Sequence, residues 1–228
     1  MASLSVCVIG VGGLGCPASL ALLHAGALRE LTLVDPDVVE LSNLHRQLWH
    51  TEADLGRPKV ESAASKIRQQ FPSVAVRTLQ QRVTALDAEA LFAAHQVVID
   101  ATDGVETKFM LSDTAVRTGT TLIYGGVLRL EGLALRIERG GPCLRCLFES
   151  PPDEAPSCAQ AGVMGSMAGV IGALQATLAL TPNPRPGETL VHVVDGARFE
   201  ARIVTLRRRS DCAVCNSAPT GRDPTLHG

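Results

Sequence analysis

The chain has 228 residues, 46% of them hydrophobic and 19% charged, which suits one large folded domain and excludes a disordered chain. Aromatic residues make up only 3%, so the core must be built from Ala, Val, Leu and Ile, and a stacking platform for single-stranded nucleic acid is excluded. A net charge of −2 provides no basic field to draw the protein to nucleic acid or to an anionic membrane.

Residues 4–9, LSVCVI, form an apolar run that stops at a glycine cluster, which predicts a buried parallel strand. No basic start, long apolar middle and small-residue cleavage site precede it, so no signal peptide is expected and the chain reads as cytoplasmic. A helical pattern follows from Leu14 to His24, and a second strand, Leu31 to Val34, ends at Asp35. That order is one βαβ unit. Residues 36–56 are polar and irregular, and read as a functional loop. A helix is expected from Gly56 to Gln70, with Pro58 in its first turn, where proline is tolerated. Then come a strand over Val74 to Leu79, a helix over Leu86 to Ala94, a strand over Val97 to Asp100 and a helix over 105–118.

Strands are expected at 121–126 and 132–138, followed by a Pro-rich irregular stretch at 149–160. Residues 162–182 carry no charge and are nearly long enough to cross a bilayer. Their four glycines, with Ser166, Gln175 and Thr177 and no basic or aromatic flanks, instead predict a helix buried in a core or at a subunit interface. Gly165 and Gly169 would let another backbone come close. Strands near 190–194 and 198–206 complete the pattern. The run Arg207-Arg208-Arg209 reads as a solvated strand end. The expected architecture is α/β: a Rossmann-like open sheet, parallel in its N-terminal half and continued by antiparallel strands. Residues 1–215 are expected to be one domain, and 216–228 a disordered tail.

Gly10-Val11-Gly12-Gly13-Leu14-Gly15 fits G-x-G-x-x-G between a strand and a helix, where glycines allow a sharp turn and the helix N-terminus attracts phosphate. Asp35, at the end of the second strand, is placed to accept from ribose hydroxyls. These features predict a nucleotide without separating ATP from NAD. The following DPDVVELSNLHRQ does separate them. Hydride transfer has no need for Asn43, Arg46 and Gln47 beside the ribose acid. Phosphoryl or nucleotidyl transfer does, since its catalysis is largely positioning and charge stabilisation. Arg46 can bind phosphate with two parallel bonds, and Lys59 can add a second cation. Asp103, just past the 97–100 strand, is placed to hold Mg²⁺.

Of seven cysteines, Cys143-x-x-Cys146 and Cys212-x-x-Cys215 share one spacing. The two pairs suit a structural four-thiolate Zn²⁺ site, with two redox pairs or two disulfides as alternatives. Cys7 and Cys16 are expected in the core. Cys158 stands alone in the Pro-rich stretch.

These residues resemble the MoeB/ThiF/HesA family, related to the ubiquitin-activating enzymes. The matches, in order, are GxGGLG at 10–15, DxD at 35–37, SNLxRQ at 42–47, GxPKVES at 56–62, TD at 102–103, CxxC at 143–146, AGVM at 161–164 and CxxC at 212–215. The resemblance implies adenylation, with ATP, of the C-terminal Gly-Gly carboxylate of a small β-grasp sulfur-carrier protein, in thiamine, molybdopterin or thiolated-tRNA synthesis. In that case Gly10, Gly12 and Gly13 face the phosphates, and Asp35 and Asp37 lie at the ribose. Ser42, Asn43, Leu44, His45, Arg46 and Gln47 line the nucleotide, Lys59 contacts phosphate, and Asp103 with Gly104 lies beside Mg²⁺. Zn²⁺ sits on the four cysteines, Cys158 is the candidate for a covalent link to the carrier, and the chain pairs as a homodimer. No nucleic acid or membrane partner is implied.

Three departures bear on activity. Relatives usually carry an arginine ahead of the first strand, where this chain starts directly. Gly104 stands where the family has Asn, and Lys108 and Ser112 stand where it has Arg and Asn, which implies fewer donors near the phosphates. Two competing readings remain: an NAD-dependent oxidoreductase, and a catalytically weak scaffold for a ubiquitin-like protein.

Overall fold

In the computed structural model, which describes residues 3–151 and 162–216, the first strand, β1 (Leu4–Ile9), lies in the middle of the sheet. Its side chains alternate between two cores: Val6 and Val8 belong to one, Cys7 and Ile9 to the other. A strand buried on both faces explains the unbroken apolar run.

The chain continues through α1 (Gly15–His24) and β2 (Leu28–Val34) to a loop with two 3₁₀ turns, Leu41–Arg46 and Glu52–Asp54. It returns through α2 (Lys59–Gln70), β3 (Ala75–Leu79), α3 (Ala85–Ala94), β4 (Val97–Asp100) and α4 (Val105–Thr118). Next come β5 (Thr121–Leu128), β6 (Glu131–Ile137), α5 (Leu144–Phe148), α6 (Gly165–Leu180), β7 (Glu188–Asp195) and β8 (Glu200–Arg207). The short helix α5 was not legible in the sequence. All eight strands form one sheet in the order β3-β2-β1-β4-β5-β6-β7-β8. The first five are parallel, and β6, β7 and β8 add on antiparallel, as expected from the sequence. The chain leaves β1 toward β2 and β3, then crosses back to β4. The carboxyl ends of β1 and β4 therefore border a switch-point crevice, the usual ligand position in such sheets.

One face of the sheet packs against α1, α2 and α6, and the other against α3, α4 and α5. The charge-free run forms α6, which lies against α1 within the chain. A Cβ on Gly172 would sit 2.5 Å from the Leu14 carbonyl oxygen, so Gly172 sets that close approach. Gly165 meets the His45 carbonyl in the same way, whereas Gly169 faces open space. No helix among the described residues is long and apolar enough to cross a membrane. β8 is the outer strand, and its Ile203 and Val204 are exposed.

The loop at 36–56 is irregular but firmly held. The indole N–H of buried Trp49 donates to Ser19 Oγ on α1 at 2.8 Å. Buried Asp54 accepts from the Thr51 N–H at 3.0 Å, from Arg57 at 2.8 Å and from Lys66. Burial alone would raise its pKa, but the Lys66 ammonium and the Thr51 donors outweigh burial and hold it well below the usual carboxylate range. A depressed carboxylate stabilises the fold above its unfolded pKa, about 3.9, and loses that contribution as pH falls through the folded value. Asp54→Asn should therefore lower unfolding free energy at pH 7 by about 2–4 kcal/mol. In urea titrations the gap from wild type should close as pH drops from 5 toward 2.

Candidate functional site

A cavity of about 730 Å³ opens at the switch point. Gly10, Gly12 and Gly13 form its inner wall. Gly10 has φ +95°, and a Cβ there would sit 2.5 Å from the Ala101 carbonyl oxygen, so the junction of β1 and β4 admits only glycine. α1 begins without a side-chain cap, which leaves N–H groups at its start for an anion.

Asp35 Oδ2 accepts from the Val11 N–H at 2.7 Å, and Oδ1 from the Asp37 N–H at 2.9 Å. It thus binds the glycine turn to the end of β2. Burial raises its pKa, with Lys59 and the two N–H donors acting in the opposite direction. Lys59 is itself buried and donates to Asp37 Oδ2 at 2.8 Å.

Asn43 and Arg46 come from the first 3₁₀ turn, where an Arg46 Nη donates to Asn43 Oδ1 at 2.6 Å. The Arg46 stem lies 3.4 Å from where a Gly13 Cβ would stand, so that stem packs against the glycine turn. Ser42 and Gln47 also line the cavity. Gln47 Oε1 is buried with no hydrogen-bond partner among the described residues, so a donor carried in by a ligand would satisfy it. Asp103 and Gly104 enter from the end of β4, with the Asp103 side chain exposed. Leu44 and His45 are not among the lining residues. The His45 ring lies 3.1 Å from an Arg46 Nη, and its carbonyl is turned toward Gly165.

Two residues read as lost donors have other positions. Lys108 lines the cavity one turn into α4 and donates to Asp100 Oδ1 at 3.2 Å and to the Gly125 carbonyl at 2.6 Å. A positive group is therefore retained at the cavity floor. Ser112, one turn further along, lies away from the cavity and accepts from the Leu144 N–H at 3.0 Å. The spacing offered a signal, because helical side chains lean toward the N-terminus. That lean brings position 108 to the cavity wall and leaves 112 behind it. Asp100 is fully buried, so Lys108→Met should cost about 3–5 kcal/mol by leaving that carboxylate unpaired. Asp100→Asn with Lys108→Met should recover part of the loss in urea unfolding.

Beyond Lys108 the cavity runs over the antiparallel strands, past Gly126, Gly132, Leu133, Val193 and Phe148. The sequence reading missed this apolar extension, because its walls come from distant segments that no local pattern connects.

The four cysteines 143, 146, 212 and 215 are buried with their sulfurs within 4.8 Å of one another. Cys143–Cys212 and Cys146–Cys215 are each 3.7 Å apart, too long for disulfides. Four metal–sulfur bonds of 2.3 Å in a tetrahedron put sulfurs about 3.8 Å apart, so the set is shaped to chelate a metal. The Cys215 thiol is the main cause of a lowered Cys143 pKa, while that same contact raises Cys215 and burial raises Cys146, so binding a metal would release protons from the set. The arginine run is committed nearby: Arg207 pairs with Glu188 at 3.1 Å, Arg208 donates to the Cys215 carbonyl, and Arg209 pairs with Asp211 at 2.8 Å. Cys158 lies outside the described residues.

Known proteins resemble the chain over most of its length. Adenylyltransferase and sulfurtransferase MOCS3 of Anopheles gambiae is 43% identical over 225 residues, covering 95% of this chain and 50% of that protein. The SAMP-activating enzyme E1 of Haloferax volcanii is 40% identical, covering 92% of this chain and 79% of that protein. The chain thus spans about half the length of several curated relatives it matches. Among solved structures, E. coli MccB superposes with a TM-score of 0.79 at 18% identity, covering 93% of this chain and 67% of that one, a likeness of fold. The ThiF family model matches residues 1–214, and the chain belongs to the ThiF family.

Proposed function

We propose that the chain is a nucleotidyltransferase that uses ATP to adenylate the C-terminal Gly-Gly carboxylate of a small ubiquitin-like sulfur-carrier protein. The observation that carries this reading is the two-part cavity. Its polar half gathers Asp35, Asn43, Arg46 and Lys59 around a glycine turn, and its apolar half continues over β5, β6 and β7 with room for an extended tail. The names of the MOCS3 and SAMP-activating relatives state adenylyl transfer or activation, and MccB has been crystallised with ATP.

In this reading the triphosphate lies on the glycine turn, and Asp35 accepts from the ribose. The carrier's carboxylate oxygen attacks the α-phosphorus. The bond from that phosphorus to the bridging oxygen breaks, and pyrophosphate leaves with the electron pair, so an acyl-adenylate forms without net proton transfer. Arg46 and Lys59 supply fixed positive charge where it builds on the phosphate oxygens. Gln47 Oε1 accepts from a donor on the bound ligand. Asp103 presents an exposed carboxylate oxygen of the type Mg²⁺ requires, and would hold that ion, which neutralises phosphate charge when bound. The four-cysteine cluster would hold Zn²⁺ as a structural ion with no open coordination position.

We take residues 1–215 as one catalytic domain that works as a homodimer, with exposed Leu41 and Leu48 as apolar surface for pairing. The described cysteines, all free, suit the reducing cytoplasm. The test is ATP–pyrophosphate exchange with candidate carriers added singly. Exchange that depends on one carrier and disappears with its last glycine supports the reading. ATP binding without exchange supports a scaffold, and binding of NAD in preference to ATP overturns the reading.

A further inference from the structure

The polar half of the cavity is assembled from three separate segments: the glycine turn after β1, the Arg46–Gln47 stretch, and Lys59 at the start of α2. One buried residue, His50, is bonded to all three segments, by its ring to the glycine turn and to α2 and by its backbone to Gln47. Its Nε2 lies 3.1 Å from the Val11 carbonyl oxygen in the glycine turn, and its Nδ1 lies 2.9 Å from Ser62 Oγ on α2. Its backbone N–H donates to the Gln47 carbonyl at 3.0 Å. A carbonyl can only accept, so Nε2 bears the proton and the Ser62 hydroxyl donates to Nδ1. Burial lowers the ring's pKa, in keeping with a neutral imidazole.

Val11 is thereby held from both sides. Asp35 takes its N–H at 2.7 Å, and His50 donates to its carbonyl. The Cys16 thiol also donates to that carbonyl, at 3.4 Å, but a thiol is a weak donor. A turn built from Gly10, Gly12 and Gly13 has almost no side chains to restrain it, so its peptide planes are set by the groups that grip its backbone.

We propose that His50 is a positioning residue of the nucleotide site: its Nε2–H, oriented by Ser62, fixes the Val11 carbonyl and holds the glycine turn, Arg46–Gln47 and Lys59 in register for a nucleoside triphosphate. The proposal rests on the reading of this cavity as a nucleotide site. His50 does not touch the reacting atoms, and its effect passes through the direction in which the glycine-turn N–H groups point.

The test compares His50→Gln with His50→Asn in the full chain. The Gln amide nitrogen stands near the Nε2 position and still reaches Val11. The Asn amide is shorter, stays near Ser62 and loses Val11. Amide hydrogen exchange over residues 10–14 without ligand, calorimetric Kd for ATP with Mg²⁺, and Tm are measured together. His50→Asn should speed exchange of the turn and weaken ATP binding, each by about 10-fold or more, while His50→Gln stays within about 3-fold of wild type. Both should lower Tm to a similar degree, which separates positioning from general stability. Ser62→Ala, which keeps the ring and removes only its orienting hydroxyl, should shift exchange in the same direction by about 3-fold and serves if the Asn variant fails to fold. Equal turn exchange in the Asn and Gln variants, or no change with either Asn or Ser62→Ala, would overturn the proposal. A wild-type chain that binds no ATP removes the nucleotide reading instead, and the exchange comparison still decides whether His50 clamps the turn.

Discussion

Arg46→Ala should reduce carrier-dependent ATP–pyrophosphate exchange by about 10²–10³-fold or more while leaving Tm almost unchanged. The guanidinium is held by Asn43 and His45, both on the same surface turn, so its removal leaves no buried group unpaired. Its loss does remove a forked donor from the place where phosphate charge grows. Arg46→Lys keeps the charge but loses the planar fork, so it should fall between the two. If exchange by Arg46→Ala stays within about 3-fold of wild type, the assignment of Arg46 to the phosphates fails.

Loss of the zinc proposed for the four cysteines should have the largest effect on stability. The cysteine cluster joins the start of α5 to the segment after β8, two regions far apart in sequence. Among the described residues, three partly buried apolar side chains, Val116, Leu206 and Val214, pack against it. Without an ion, four buried sulfurs replace a cross-link. Cys212→Ser, or dialysis against a strong chelator, should cost about 5 kcal/mol or more, a Tm drop of roughly 10–20 °C for a domain of this size. Metal content by elemental analysis should fall from one zinc per chain to none. The loss should also reach the cavity, because α5 carries both Cys146 and the wall residue Phe148. KM for the carrier should then rise more than KM for ATP. A metal-free chain with unchanged Tm would show that the cluster is not a structural centre.

The first βαβ unit, the parallel-to-antiparallel sheet and the cysteine cluster could all be read from the sequence, because each leaves a local trace. β1 is an unbroken apolar run because both its faces are covered, and each CxxC is a short repeat. Asp35, Lys59 and Asp103 were also legible, since each sits at the end of a recognisable element, and Arg46 was legible from the SNLHRQ run that carries it. Lys108 was misjudged because its partners, Asp100 and Gly125, are brought to it only by the packing of α4 on β4 and β5. His50 leaves no local trace for the same reason: its partners Val11 and Ser62 lie on different elements. α5 is a single turn, too short for a periodic pattern to show.

The outer strand β8 has a consequence for handling the protein. It ends the sheet with eight residues and offers one side of its backbone to any chain that can pair with it. Ile203 and Val204 would make that pairing favourable, and Glu200, Arg202 and Arg207 place charge along the same strand. In an antiparallel pair of copies Glu200 of one strand would lie opposite Arg207 of the other, an attraction that salt screens. Edge-to-edge association through β8 should therefore weaken as moderate salt is added, and dilute buffer should favour it.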